Sequence, residues 1–291
     1  MKRNTHIHSI DGNALAHTIT LNVKRETVRF IRKKGIPPGL GIILVGDDPA
    51  SHLYVGIKLR MARTLGFYCR RVVLPQHASE RDVMLALRSL QRSKRINGVI
   101  IQIPLPRHIS ISRVCAQIDL RKDIDCLNPD NLKALSEGRT PTFWPPTAES
   151  VVHAIKSVQS SLKKKKVVVV GRGFFAKQIA ALCFAMGAHL ELISSSAHNL
   201  KKKTRTADIL ISAIGRPKSI TGDMIKKGCV VIDVGVAKVN GVTVGDIDFE
   251  SVVQKAGAVS PVPGGIGPIT VAMLMKNVLK AAKGYKDCKK A

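Results

Sequence analysis

The stretch KKKKVVVVGRGFFAKQIAALCFAMGA, residues 163–188, restricts the architecture more than any other part of the chain. Four consecutive valines, Val167 to Val170, run without alternation into a glycine-rich turn, and an apolar helical pattern starts at Phe174. An uninterrupted apolar run suits a strand buried on both faces, the situation in parallel sheets covered by helices. Gly171, Gly173 and Ala176 have the G-x-G-x-x-G/A spacing. Between a strand and a helix, that spacing lets backbone N–H groups approach a dinucleotide pyrophosphate at the helix N-terminus. The same glycines also suit a bare tight turn; the flanking strand and helix favour the cofactor. Sites for NAD usually end the next strand with an acidic residue for the ribose hydroxyls. Here Glu191 lies inside that strand, and its tip offers Ser194, Ser195 and Ser196. With Arg172 in the turn, these hydroxyls suit a 2′-phosphate and predict NADP.

The rest of the chain repeats strand and helix. ALAHTITLNVKRETVRFIRKKG reads as an amphipathic helix closed by Gly35, GLGIILVG as a buried strand, and ASHLYVGIKLRMA as a helix. YCRRVVLP, ERDVMLALRSLQRSK and INGVIIQIPLP continue as strand, helix and a third strand stopped by its prolines. This alternation implies βαβ units and a parallel sheet, with ligands at the carboxyl ends of strands, where VGDD, QIPLP and KDID are expected. A Pro/Thr-rich loop opens a new helix near Ala148, and a second alternation runs through HLELISSS, ADILISAIG and CVVIDVGV. A Gly/Pro loop then feeds a long apolar helix, VAMLMKNVLKAAK. The expected fold is α/β in two domains: a first over residues 1–147, completed by 262–291, and a Rossmann-type dinucleotide domain over 148–261.

Charge is the unusual quantity: 47 Lys and Arg against 20 Asp and Glu, a formal +27. Such an excess raises nucleic acid as a partner. The basic residues are spread in short tracts, however, and aromatics reach only 4%, too few for a base-stacking platform. The tracts therefore read as solvated faces. Six cysteines (69, 115, 126, 183, 229 and 288) form no C-x-x-C pair, which argues against zinc or a disulfide framework and for a reducing cytoplasm. No apolar run approaches a membrane span, and MKRNTHIHSIDGNALA lacks the apolar core of a signal peptide.

Tyr54 and Lys58 stand four residues apart on one side of a helix that follows the VGDDP turn. Alone, the pair reads equally as a packed ring under an extended amine. Several segments together say more. VGDDPASHLYVGIK, GVIIQIPLPRHI, KDID, VVVVGRG, ADILISAIGRP, VVIDVGV, VGDIDF and PVPGGIGPIT occur in the order seen in the bifunctional methylenetetrahydrofolate dehydrogenase/cyclohydrolase family, which the chain resembles from IDGNALA to its final helix.

The resemblance implies a homodimer of a folate domain and an NADP domain, with the C-terminal helix packing back on the first. It implies two reactions: hydride transfer from the methylene bridge to NADP, then hydrolysis of the methenyl cation to the formyl product. By the same resemblance Lys58 is the general acid/base of hydrolysis, Gln102 orients it, and Tyr54 lies against the folate ring. Asp125 binds the pteridine N–H groups, and Ile101, Ile103, Pro104 and the segment Pro263, Gly264, Gly265, Ile266 and Gly267 add substrate contacts. Gly171, Arg172, Gly173, Ser195 and Val236 fall on cofactor-binding positions. A basic rim would also draw in the polyglutamate tail that folates often carry.

Departures from the family pattern cluster on the cofactor side and at the domain junction. Gly173 replaces a usual Ser and Lys177 a usual Gly, and the strand tip reads SSSA where H-S-R-T is usual. Cys126 replaces the Gly after the pteridine Asp, and Pro146 stands where a Cys is common. Lys58, Gln102 and Asp125 are intact. Three alternatives remain: a cyclohydrolase with weakened dehydrogenase activity, an NADP-dependent dehydrogenase of another small acid, and a basic nucleic-acid-binding protein on this fold.

Overall fold

In the computed structural model, which describes residues 8–284, strands and helices alternate along the chain. The elements begin β1 (His8–Ser9), α1 (Gly12–Lys34), β2 (Gly39–Val45), α2 (Pro49–Thr64), β3 (Tyr68–Leu74), α3 (Glu80–Arg92) and β4 (Gly98–Ile101). Next come α4 (Ile111–Cys115), α5 (Pro129–Ser136), α6 (Pro146–Val158), β5 (Lys166–Val170), α7 (Phe174–Ala185), β6 (His189–Ile193), α8 (Leu200–Thr204) and β7 (Ile209–Ser212). The chain ends with β8 (Val230–Asp233), β9 (Ala237–Val239), β10 (Val242–Val244), α9 (Phe249–Val253), β11 (Ala258–Val259) and α10 (Ile266–Lys283). Cys288 and the last basic tract lie outside the described residues, as does the start of the chain before His8.

Two units divide these elements. One comprises His17–Pro146 and the chain from Val271 onward; the other comprises the chain up to Ala16 and Thr147–Thr270. The N-terminal residues join the second unit because β1 pairs in parallel with β11, through His8 opposite Ala258 and Ser9 opposite Val259.

The first unit is built on a parallel three-stranded sheet in the order β3-β2-β4. β2 is central, and all seven of its residues are buried, which is why GLGIILV shows no polar alternation. The flanking helices present apolar faces to it. Helix α3 buries Val83, Leu87 and Leu90, and its start is fixed by a reciprocal capping box between Ser79 and Asp82.

KDID does not sit at a strand end. It lies in a segment without regular structure that runs beside β4, where Val99 N–H donates to Lys122 O at 2.9 Å. Asp123 holds this segment in place. Its fully buried carboxylate accepts from Leu127 N–H and Asn128 N–H, both at 2.9 Å, and from Asn131 Nδ2 at 2.7 Å. Gly98 leaves room for the Ile124 side chain, whose Cγ2 would be 2.6 Å from any Cβ placed there. From α10, the buried Asn277 side chain donates to Ile124 O at 2.9 Å and Trp144 O at 3.1 Å. Lys280 Nζ adds a bond to Thr142 O at 2.9 Å, so the last helix packs back on this unit.

The second unit carries a six-stranded sheet in the order β1-β11-β8-β7-β5-β6, with every pairing parallel. Val167 to Val170 are fully buried, as their unbroken apolar run requires. The order reverses at β5, which has β6 on one side and β7 on the other. Such a switch point opens a crevice at the carboxyl ends of the strands.

Replacing Asn277 with Ala removes the side-chain donor from two carbonyls, each worth about 1–3 kcal/mol when left buried and unpaired. Asn277→Ala is therefore expected to lower the urea-unfolding free energy by about 2–4 kcal/mol. A change below about 0.5 kcal/mol would show that α10 does not brace residue 124 through this amide.

Candidate active site

The amine site begins with the cap of α2. Asp48 accepts from Ser51 N–H at 2.8 Å and Pro49 occupies the first turn, which fixes where the helix starts. Ser51, Val55, Leu59 and Ala62 face the core. Lys58 is half-buried at the edge of that face, and Tyr54, one turn earlier, is 41% exposed.

Gln102 meets Lys58 from the end of β4. Ile101 lies opposite Ile43 in the sheet, and Gln102 N–H extends the ladder by donating to Ile43 O at 2.9 Å. The side chain is equally constrained: Nε2 donates to Ile103 O at 2.8 Å, so Oε1 faces Lys58 and accepts from Nζ at 3.0 Å. Gln102 is only 7% exposed, which keeps this pair away from competing water.

Asp125, held by the bonds around Asp123 and Ile124, is the charged partner. Burial pushes the Lys58 amine below the usual lysine range, and the Asp125 charge works against that shift. Burial raises the Asp125 carboxyl in turn, opposed by Lys58. Desolvation is the larger influence on both, and the charge of each partner opposes it. A neutral Lys58 that still donates to Gln102 has its lone pair free to take a proton. Ile101 is packed into the sheet at 1% exposure, whereas Ile103 is half-buried and Pro104 is exposed.

The glycine turn of the second unit joins β5 to α7. Gly171 has φ 147°, in the region that favours glycine, and a Cβ there would lie 2.5 Å from Ala213 O and 3.0 Å from Ala176 Cβ. Gly173 is the N-cap of α7, with φ −69° and no side-chain cap bond; a Cβ there meets nothing within 4 Å. A cavity of ≈340 Å³ at the ends of β5 and β6 is lined by Gly171, Arg172, Lys177, Leu192, Ile193 and Ser194. The open backbone turn, two cations and a hydroxyl fit the phosphates of a dinucleotide. Ser195 is half-buried beside this lining, and Val236 is exposed after β8. Pro263 to Gly265 form the turn that enters α10, with Gly264 at φ 94°, and Ile266 and Gly267 are the first residues of that helix.

Other supporting residues escaped the sequence reading. Asp246 accepts from Ser212 Oγ at 2.8 Å, Ile214 N–H at 2.7 Å and Arg216 N–H at 2.8 Å. Asp233 accepts from the N–H groups of Gly235, Asp246 and Ile247 at 3.0, 3.1 and 2.9 Å. Burial and the neighbouring Asp246 push the Asp233 carboxyl up to about 7, against those donors. The two acids tie down the chain after β7 and β8, around Val236. Their presence in VVIDVGV and VGDIDF was visible in the sequence; their proximity was not. Asp123 and Asn277 were missed for the same reason.

Two profiles of one family match the chain. The tetrahydrofolate dehydrogenase/cyclohydrolase catalytic domain matches residues 10–125, and its NAD(P)-binding domain matches residues 145–286. The bifunctional protein FolD of Nautilia profundicola is 40% identical over 278 residues, covering 95% of this chain and 97% of its own. The crystal structure of the bifunctional FolD enzyme from Campylobacter jejuni is similar with a TM-score of 0.91 and 33% identity, covering 95% of this chain and 99% of that one. The Trypanosoma brucei FolD structure, complexed with NADP and an inhibitor, has a TM-score of 0.91 and 34% identity, covering 95% and 97%.

The two turn glycines should behave oppositely. Gly171→Ala is expected to lower the thermal unfolding midpoint, because the methyl group meets the Ala213 carbonyl in an unfavourable backbone region. Gly173→Ser should leave the midpoint unchanged or raise it, since the hydroxyl has open space and an N-cap role. Equal loss in both variants would refute this account of the turn.

Proposed function

The chain belongs to the tetrahydrofolate dehydrogenase/cyclohydrolase family, and from that membership we propose that it oxidises methylenetetrahydrofolate with NADP and hydrolyses the methenyl product to formyltetrahydrofolate. The observation that carries this reading is the hydrogen bond from Lys58 Nζ to the buried Gln102 Oε1 at 3.0 Å, with the Asp125 carboxyl near enough to oppose the burial shift of the amine.

Hydrolysis needs a group that removes a proton from water and later returns one to the departing ring nitrogen. Lys58 supplies it. Burial favours the free amine, and a cationic methenyl substrate beside it strengthens that preference. Gln102 fixes the direction of the lone pair by holding one N–H. Asp125 takes two N–H donors of the pteridine, and Tyr54 covers the ring. Ile101, Ile103, Pro104 and Pro263 to Gly267 complete the substrate contacts, on the strength of the motif match.

Gly171, Arg172, Gly173, Ser195 and Val236 hold NADP, which when bound accepts the hydride from the methylene carbon. The oxidation asks for positioning rather than proton transfer, because the folate nitrogen stabilises the developing cation. The same family pattern supports a homodimer, and scattered cysteines support a reducing cytoplasm. The excess of basic residues suits a polyglutamylated substrate.

Lys58→Met is expected to slow decay of methenyltetrahydrofolate by at least about 100-fold, toward the spontaneous rate, while NADPH formation persists. In the wild type, hydrolysis should rise with pH through an inflection below the ordinary lysine range, absent from the variant. Unchanged hydrolysis in a folded Lys58→Met protein would overturn the assignment.

A further inference from the structure

Lys177 is one of the two cations of the dinucleotide cavity and, unlike Arg172, departs from the family pattern. It lies one turn into α7, where its backbone N–H donates to Gly173 O at 3.2 Å, and its side chain is exposed. The preceding residue, Ala176, is buried under the glycine turn. Lys177 thereby faces the cavity that Arg172 enters from the end of β5 and Ser194 from the end of β6. Among the described residues, neither Lys177 nor Arg172 has an ion-pair partner.

No carboxylate lines this cavity. The acid of β6, Glu191, is engaged elsewhere, by Lys203 Nζ at 2.5 Å and Lys166 Nζ at 4.0 Å. The strand tip consists of small hydroxyl residues, with Ser194 Oγ 2.8 Å from Ser196 Oγ and accepting from Ser196 N–H at 3.2 Å. The tip, Ser194 to Ala197, carries no cation of its own. Two unmatched positive charges beside serine hydroxyls suit a phosphomonoester dianion. A ribose diol would find no carboxylate there to accept its hydrogen bonds.

We propose that Lys177 is a specificity-determining residue that, with Arg172, recognises the 2′-phosphate of NADP from the helix side of the cavity. This rests on the cofactor reading above. The charge that selects NADP over NAD is thus delivered across the cavity from α7 rather than along the tip of β6.

Calorimetric titration of the full chain with 2′,5′-ADP and with 5′-AMP isolates the 2′-phosphate, since the two ligands differ only in that group. The wild type should bind 2′,5′-ADP more tightly. Lys177→Met should weaken 2′,5′-ADP binding about tenfold, roughly one charge-assisted hydrogen bond, with less than a twofold effect on 5′-AMP. Lys177→Arg should restore most of the loss, and Lys177→Gln should reproduce the Met result, because both variants remove the charge; a Gln variant that binds like the wild type would trace the Met result to the Met side chain and overturn the role of the Lys177 charge. The ratio of KM for NADP to KM for NAD should rise in parallel. Equal weakening of both ligands, no weakening, or a wild-type preference for 5′-AMP would overturn the role of Lys177 while leaving the dinucleotide site standing. A wild type that binds neither 2′,5′-ADP nor NADP would overturn the cofactor reading itself.

Discussion

The amine site depends on one buried carboxylate. Asp123 gathers donors from Leu127, Asn128 and Asn131 and so shapes a segment that has no helix or strand to shape it. Burial raises its pKa to about 6, and the three donors counter that rise by favouring the charged form. Asn128 passes the constraint on: its Nδ2 donates to Ile118 O at 2.7 Å, and its Oδ1 caps α5 by accepting from Asp130 N–H at 2.8 Å. Inside this closed loop Cys126 is held at φ 56°, a conformation that works against its side chain by about 1–2 kcal/mol. That the family usually places Gly here is then a matter of backbone geometry. Cys126 tolerates the strain because the bonds on either side determine its conformation.

The two units solve the problem of positioning by different means. In the dinucleotide unit, main-chain geometry does most of the work: a buried parallel strand stops at Gly171, where a Cβ has no room. Substitution at Gly173 or at the β6 tip therefore changes the local chemistry without disturbing the strand. In the amine unit, side chains position side chains. Gln102 aims Lys58, Asp123 and Asn277 place the backbone around Asp125, and each link is buried and directional.

Legibility in the sequence followed the same division. The strands and helices of both alternations were readable because apolar periodicity is local; GLGIILV and KVVVV became β2 and β5 with their burial as expected. Lys58, Gln102 and Asp125 were reachable only through their order along the chain, since 44 residues separate the bonded pair Lys58 and Gln102. Several short elements were not read at all. Helix α5 had its marks in Asn128-Pro129, a cap and a first-turn proline, but was absorbed into the Pro/Thr-rich loop. The hairpin of β9 and β10 turns at Asn240-Gly241, with φ 50° and 81°, an Asn-Gly turn whose flanking strands are only three residues long. Strands β1 and β11 are two residues each, too short for any period to show. Placing KDID at a strand end failed because its order comes from hydrogen bonds of Asp123, which no pattern of hydrophobicity encodes.

Asn277 has a consequence for the order in which the protein takes shape during synthesis. Its amide reaches Ile124 across 153 residues of chain and Trp144 across 133. A ribosome that has released β2, β4 and the Asp123 loop still holds that brace, and does so until the whole dinucleotide sheet has emerged. The half of the protein that is made first is therefore finished last. Until α10 arrives, the nascent chain carries Lys58 and Asp125 on a scaffold lacking its final clamp, so the order around Asp125 is completed only after translation of its own residues has long ended.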